Sequence, residues 1–435
     1  VRMDNAYAIV DLPAARIEVK ERLKLGGLQV QLDRPAEWRQ IFVECWRQMR
    51  DFVFDPHLHA VDWTAMRARY EPLLEHVHHR MDLTYLIGEM IGEINLGHCY
   101  VGGGDYPKAE RIALGLLGAD WERDAVSGYW RIARILPGQN WDSSLRSPLT
   151  EIGVGVKAGD YVIEIDGRRT DRLANPNTAL VNTAGRPVVL RVHSEPRPEG
   201  SRTCTVIPIA DDRPLRYFGW VQRNLERVSK ATDGRIGYVH IPNMGVDGLN
   251  EFVKLYYPQT HKQGLIVDVR GNGGGNVSPQ IIERLRREWV MVTVARNAAV
   301  NIDPTGMVLG PKVMLLDEFS ASDGDIVAYR FRHYGLGPII GKRSWGGVVG
   351  IRGSLPLLDG GYLNRPEYSR YDIAGREWIM EGRGVEPDIR VDNDPAREFA
   401  GQDDQLERAI AVILEKLEQE PVRIPPPPPW PDKSR

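Results

Sequence analysis

Apolar runs of strand length alternate with segments of helical spacing between residues 235 and 341, and this alternation limits the possible folds more than any other feature. The strand-like runs lie at 235–241, 265–269, 290–295 and 312–317. The helical patterns lie at 246–257, at 278–288 and after residue 325. Strands that alternate with helices form a mainly parallel sheet that helices cover. The sequence therefore predicts an α/β domain here, within a multidomain chain of the α+β or α/β class.

The turn after the fourth strand-like run contains the strongest candidate for catalysis. Because FSASDGD follows that run and a helical pattern comes next, Ser322 is expected at the carboxyl edge of the sheet, where ligands of open α/β sheets bind. The nearby positive end of the helix dipole would stabilise an oxyanion. An alternative stays open, since Ser322 with Asp325 and Ser320 with Asp323 also match S-x-x-D capping boxes.

A glycine-rich loop, GNGGGN at 271–276, directly follows the second strand-like run. It lacks the Lys-Ser/Thr ending of a phosphate loop, so a nucleotide-binding α/β domain is a weak hypothesis. Its remaining use is close backbone approach, in which N–H groups of Gly273 or Gly274 point at an oxyanion. A plain tight turn is the alternative.

The chain before this region divides by its periodicity. Residues 1–30 alternate weakly at 7–12 and 16–21, which indicates one or two strands or a linker. Residues 31–105 predict a helical subdomain with three helices. The first helix is predicted to start at a cap, Asp33, and to run to about residue 53. The second starts at Asp62, and Pro72 is expected to end or bend it. The third has an apolar stripe from Asp82 to Ile94, and Gly97 is expected to stop it just before His98.

Residues 106–212 change to short alternating runs, which predict strands at 129–136, 160–167 and 187–193. ALGLLGADW resembles the apolar-glycine loop that opens PDZ domains, and GVKAGDYVIEIDG resembles their central hairpin. We therefore expect a PDZ-like domain, with a generic small β domain as the alternative. We expect residues 213–400 to form the α/β domain that carries the candidate for catalysis. Residues 401–435 form an amphipathic helix and a proline-rich tail, expected to act as a spacer or packing strap.

Two further residues and one cluster are candidates for chemistry. His98, at a predicted helix end, is a possible general base, although a lone histidine is usually structural. Glu381 follows a strand-like run and is either a surface carboxylate or a group that orients the base. The cluster of His57, His59, Glu75, His76, His78 and His79 lacks H-E-x-x-H spacing, and solvated helix ends are the preferred interpretation.

Composition excludes several classes of function. A net charge of −3 gives no reason to expect nucleic acid or an acidic membrane as a partner, and no apolar run reaches the length of a membrane span. Three widely spaced cysteines indicate a reducing compartment, and we expect a cytoplasmic protein. The chain starts at a valine, so we expect a processed form or an excised piece.

Taken together, these residues resemble the core of the tricorn protease family of serine peptidases. The motifs that carry the resemblance, from about residue 36 onward, are AEWRQIF, YLIGEMIGEIN, HCYVGGGDYP, DVRGNGGGN, SASDGD, SWGGVVGI and GVEPDI. The resemblance implies a helical subdomain, a PDZ domain and an α/β domain related to the C-terminal processing proteases. It implies Ser322 as nucleophile, His98 as general base and Glu381 as supporting acid. It also implies an oxyanion hole from the N–H of Asp323 and one from the glycine loop.

The sequence departs from the family pattern at two points. Gly97 stands where the family has a serine just before the histidine, which puts the orientation of the base in question. The family's full-length members also have β-propellers upstream, and residues 1–30 look like the exit from such a domain. The related C-terminal processing proteases use a lysine base, but Gly347 occupies that position and Lys342 lies five positions earlier. The sequence thus favours serine–histidine over serine–lysine chemistry.

We expect an endopeptidase or oligopeptidase that hydrolyses short unfolded peptides through an acyl-enzyme, without a metal or organic cofactor. The alternative is a non-catalytic peptide-binding protein with a working PDZ-like domain and a decayed protease site, which Gly97 favours. The resemblance also implies a homo-oligomer, a hexamer in that family, and transfer of products to aminopeptidases.

Overall fold

The computed structural model describes residues 2–3, 6–11, 21–25, 27–353 and 355–434. The chain forms two compact units, of which one contains Val1–Tyr106 with Ile351–Tyr368 and the other contains Pro107–Gly350 with Ser369–Arg435. The helices are α1 (Arg34–Phe52), α2 (Trp63–Tyr70), α3 (Arg80–Gly92), α4 (Arg213–Ala231), α5 (Val246–Tyr256), α6 (Ser278–Leu285), α7 (Asp323–His333), α8 (Pro395–Phe399) and α9 (Asp404–Gln419).

The strands are β1 (Arg2–Met3), β2 (Ala6–Tyr7), β3 (Tyr100–Gly102), β4 (Ala119–Arg123), β5 (Trp130–Ile135), β6 (Tyr161–Ile165), β7 (Arg168–Arg169), β8 (Val188–His193), β9 (Arg202–Val206), β10 (Ile236–His240), β11 (Gly264–Asp268), β12 (Met291–Thr293), β13 (Asn301–Asp303), β14 (Lys312–Leu316), β15 (Ile339–Gly341), β16 (Tyr362–Asn364) and β17 (Ile389–Arg390). β1 and β2 pair antiparallel, whereas most of the predicted strand at 16–21 lies outside the described residues.

The first unit is built on α1, α2 and α3, whose apolar faces share one core. The predicted caps are confirmed at Asp33 and Asp62, whose side chains accept hydrogen bonds from Ala36 N and Ala65 N. A Pro in the first turn of α1 suits a position whose N–H needs no intrahelical partner.

The third helix differs from its prediction at both ends. α3 begins at Arg80 because His79 and Asp82 form a capping box, and it ends at Gly92 rather than at Gly97. Residues 351–368, which the sequence analysis assigned to the α/β domain, pack in this first unit. Here β16 pairs antiparallel with β3, and Asp359 forms a fully buried ion pair with Arg80 at 2.5 Å.

The second unit begins with an antiparallel sheet in the order β4-β5-β6-β8-β9, with β7 paired to β6. The predicted strands at 129–136, 160–167 and 187–193 are confirmed as β5, β6 and β8. On β8, Val188, Leu190 and Val192 alternate with less buried residues and are fully buried in the core of this sheet. The alternation of apolar residues in the sequence therefore marks the buried face.

The α/β region contains a parallel sheet in the order β10-β11-β14-β15-β17, with helices packed against it, and the predicted fold class is confirmed. Asp268 lies opposite Leu315, so β11 and β14 end side by side. The strand-like run at 290–295 contains β12, which within the described residues pairs with β13 and not with the parallel sheet. Its residues Val290 and Met291 are 73% and 56% exposed, whereas strands of a parallel sheet are buried on both faces.

Candidate active site

The turn between β14 and α7 holds Ser322 in an unusual backbone conformation. Ser322 has φ 56° and ψ −120°, a combination that costs a residue with a side chain about 1–3 kcal/mol. Such a turn between a strand and a helix exposes a nucleophile at the end of a sheet. Ser322 occupies the N-cap position of α7, yet its side chain makes no capping hydrogen bond.

The neighbouring serine has a different role. The Ser320 hydroxyl is fully buried, donates to Val269 O at 2.9 Å and lies 3.0 Å from Asp317 Oδ1. Ser320 thus fixes the turn to the end of β11, and neither serine side chain caps the helix. The capping-box interpretation is therefore wrong for both hydroxyls.

The glycine-rich loop lies against the nucleophile. A Cβ added to Gly274 would lie 2.6 Å from Ser322 Cβ and 3.1 Å from Asp323 N, and Gly274 has φ +96°. Only glycine fits this approach, so the plain-turn interpretation does not account for the loop. Asn272 holds the loop in place, because its carbonyl accepts from Ala321 N at 2.8 Å and its side chain donates to Ile241 O at 2.8 Å.

The two candidate glycine amides differ. Gly274 N donates to the side-chain oxygen of Asn272 at 3.0 Å, which engages this N–H within the loop. A Cβ added to Gly273 would meet nothing within 4 Å, so this residue borders open space. The Asp323 amide is the first of α7, where a helix offers no intrahelical acceptor. Gly273 N and Asp323 N are therefore the better candidates for the predicted oxyanion hole.

The Asp323 side chain connects the nucleophile turn to α6. Its two carboxylate oxygens accept from Ser278 N at 2.9 Å and Ser278 Oγ at 2.5 Å, and Arg330 lies 3.6 Å away. Asp323 is only 4% exposed, so these bonds are shielded from water. The same residue thus offers its amide at the turn and uses its carboxylate to hold the helix that follows the glycine loop.

Asp325, which the sequence predicts only as part of a capping box, connects the turn to a second loop. This fully buried carboxylate accepts from Gly346 N at 2.8 Å. Burial raises the pKa of Asp325, although the Ser344 hydroxyl and main-chain amides that bond to it act in the opposite direction. Trp345 N donates to Ser320 O at 3.0 Å, so the loop at 344–349 is attached to the turn at two points.

That loop also holds Glu381. Glu381 Oε2 accepts from Val348 N at 2.7 Å and Val349 N at 2.9 Å, and Gly382 N donates to Gly346 O at 2.7 Å. Met380, directly before it, has φ 70°. These bonds do not fit a solvated surface carboxylate. The second unit therefore joins Ser322, Asp323, the glycine loop and Glu381 in one hydrogen-bonded arrangement at the carboxyl edge of the sheet.

His98 belongs to the first unit. It lies in the turn between α3 and β3, with φ 57°, and its ring lies 6.0 Å from the Tyr100 ring at 65°. The positive φ places a second candidate catalytic residue in a backbone conformation that residues with side chains rarely adopt.

The other sequence candidates have structural partners. Lys342 Nζ lies 2.5 Å from Glu318 and 3.2 Å from Asp392, and the hydrogen bond with Glu318 raises the pKa of Lys342. An ammonium group held in this way is a poor general base. His79 caps α3 by accepting from Met81 N at 3.1 Å. Within the described ranges, no group of three or more His, Cys, Asp or Glu side chains has the arrangement of a metal site.

Three family profiles match successive parts of the chain. The Tricorn protease C1 domain matches residues 34–92, the Tricorn protease PDZ domain matches 115–211, and Peptidase family S41 matches 235–391. In the described part of the chain, no helix combines the length and apolar character needed to cross a bilayer.

Similar proteins cover almost the whole chain. Tricorn protease homolog 1 of Streptomyces coelicolor is 39% identical over 407 residues, 92% of this chain and 37% of that protein. The tricorn protease of Thermoplasma volcanium is 34% identical over 408 residues, 94% of this chain and 39% of that protein. A crystal structure of the tricorn protease superposes with a TM-score of 0.84 at 32% identity, over 92% of this chain and 38% of that one. The chain thus spans less than half the length of these relatives.

Proposed function

The chain belongs to the tricorn protease family, with an α/β domain of peptidase family S41, and from this premise we propose that it is a serine peptidase that cleaves short unfolded peptides. One observation carries the proposal. Ser322 has a positive φ, makes no capping bond and directly faces Gly274 beside the first amide of α7. This combination of a half-buried hydroxyl free of the helix cap and nearby amides suits attack on a carbonyl.

In the proposed mechanism, His98 takes the proton from Ser322, and the oxygen attacks the scissile carbonyl carbon. The amides of Asp323 and Gly273 donate to the oxyanion, while Glu381 supports the imidazolium form of His98. His98 then protonates the leaving amine, and water hydrolyses the acyl-enzyme with His98 again as base. His98 gains and loses one proton in each half-reaction, and the second half-reaction returns a proton to Ser322, so the proton balance closes within the chain and water.

The second candidate function, a peptide-binding protein with a decayed site, is favoured only by Gly97 at the position of the family's serine. A fluorophosphonate probe separates the two, because only an activated serine is labelled. We expect labelling of the wild type at Ser322. Peptidase activity should fall at least about a thousandfold in Ser322→Ala and nearly as far in His98→Ala, because nucleophile and base act as one unit. Substantial cleavage by Ser322→Ala would refute the assignment.

The compartment, the oligomeric state and the fate of the products belong to the same proposal. Cys45 and Cys204 are buried thiols, which suits a reducing compartment such as the cytoplasm. We propose a homo-oligomer, a hexamer by analogy with the family, whose products pass to aminopeptidases. Size determination by light scattering and product analysis by mass spectrometry test these two points, and a monomer in solution would contradict the first.

A further inference from the structure

A cavity of about 500 Å³ lies at the carboxyl edge of the parallel sheet, and the proposed chemistry does not use it. The segments that follow β11, β14, β15 and β17 line it through residues such as Gly271, Lys342 and Asn393. Apolar walls come from Trp220 of α4, from Phe319 and from Pro395 of α8. Phe319 is 64% exposed, so one aromatic face is open to a ligand. A volume of this size accommodates a few residues of a peptide.

The polar lining of the cavity is acidic. Glu318 and Asp392 share a single cation, Lys342. Arg270 also lines the cavity, but its charge is matched by buried Asp268 and Asp403, at 2.7 Å and 2.9 Å. Glu398 adds a further carboxylate on α8. The cavity therefore presents aromatic and proline surfaces beside surplus negative charge.

The tail beyond α9 has complementary chemistry. Residues 421–434 are exposed throughout, and Trp430 is 78% exposed. The tail contains five consecutive prolines, and Arg423, Pro426 and Pro429 are spaced three residues apart. In a polyproline II helix, which has three residues per turn, these three side chains lie along one edge. Basic proline-rich segments of this kind dock into aromatic-lined grooves.

We propose that the cavity at the carboxyl edge binds the proline-rich tail of a second copy of this chain. The rings of Trp220 and Phe319 pack against the prolines, and the acidic rim takes the Arg423 guanidinium. In one chain Arg423 directly follows Val422, which lies beside Gly310 just before the amino end of β14. The 16 residues of α9 span about 24 Å from that edge to the cavity. An arginine side chain cannot reach across this distance, so the Arg423 at the acidic rim belongs to a second copy. The sequence predicts a spacer or packing strap for this tail, and the proposal assigns it a specific contact instead.

Binding is tested with the full-length chain and a fluorescein-labelled synthetic peptide of residues 421–434, followed by fluorescence anisotropy. We expect saturable binding that weakens about threefold or more in Phe319→Ala and in Glu398→Gln, since the burial of a small apolar area between an aromatic ring and a proline, and an exposed ion pair, each have this magnitude. Trp141→Ala and Glu418→Gln, an exposed aromatic and an exposed glutamate elsewhere in the second unit, should bind as wild type. A peptide with Pro426→Gly and Pro429→Gly should bind more weakly.

The choice of a second copy is tested by mixing ¹⁴N- and ¹⁵N-labelled full-length chains and cross-linking amines to carboxylates. Cross-links between Lys433 and Glu398 should include mixed-isotope pairs. Cross-links confined to one isotope would overturn docking between copies. Absence of peptide binding, or equal weakening in the matched control variants, would overturn the cavity as the site. These readouts do not depend on peptidase activity, so they stand apart from the proposed function.

Discussion

Gly274→Ala tests the geometry of the nucleophile turn most sharply. The added methyl group would lie 2.6 Å from Ser322 Cβ and 2.8 Å from Ala321 O. Carbon atoms pack at about 3.5 Å or more, so the turn and the loop must separate by roughly 1 Å. A displacement of this size at a reacting group costs about a hundredfold in rate. The positive φ of Gly274 adds about 1–2 kcal/mol of backbone cost for alanine.

Gly271→Ala is the matched control, because it separates the clash from the backbone cost. Gly271 belongs to the same loop and has φ +69°, but a Cβ there would meet nothing within 4 Å. Both variants should lose about 1–2 kcal/mol of unfolding free energy from the positive φ. Only Gly274→Ala should also lose the additional factor of about one hundred in kcat/KM.

The two variants are compared by urea unfolding and by hydrolysis of a fluorogenic peptide. The reasoning is refuted if Gly274→Ala keeps a kcat/KM within a few fold of Gly271→Ala while folding normally. That result would mean that the loop does not constrain the position of the nucleophile.

Three further predictions concern stability. Asp325→Leu leaves Gly346 N without its buried acceptor and should cost about 1–3 kcal/mol of unfolding free energy in urea. Burial raises the native pKa of Asp325 above 3.8, so ionisation of this carboxyl destabilises the folded state. Asp325→Asn should therefore gain stability relative to wild type as pH rises through that native pKa. Arg270→Leu should cost about 3–5 kcal/mol, because the buried Asp268 loses its cation. Burial acts to raise the pKa of Asp268, but the charge and hydrogen bonds of Arg270 outweigh burial and lower it. The stability that the Asp268–Arg270 pair contributes should therefore be present above pH 3.8 and disappear as pH falls through the lowered native pKa. Ser320→Ala should lose about 1 kcal/mol of stability while keeping peptidase activity, and loss of activity in a folded variant would contradict the separate roles of the two serines.

Local signals in the sequence located most of the elements that carry the site. Asp33 and Asp62 were recognisable as caps, and the apolar run before SASDGD predicted the strand that presents Ser322. α4 was missed although its signal was present, since Pro214 opens it and Val221, Leu225 and Val228 recur at helical spacing. These features depend on neighbours along the chain, which a single sequence displays.

Contacts between distant segments were not predictable in the same way. The bond from Gly346 N to Asp325 joins residues 21 positions apart, and nothing in either segment specifies the other. The return of 351–368 to the first unit likewise depends on pairing with β3 and on the ion pair of Asp359 with Arg80. Hydrophobic periodicity marks the face that a segment buries but not the partner that covers it.

The central claim is that Ser322, and not the serine two positions before it, is the activated nucleophile of this chain. Fluorophosphonate labelling of the wild type, Ser322→Ala and Ser320→Ala, with the modified residue located by mass spectrometry, tests this claim most directly. We predict labelling at Ser322 in the wild type and in Ser320→Ala, and none in Ser322→Ala. Labelling that persists in Ser322→Ala, or a wild type that resists the probe while cleaving peptides, would contradict the account.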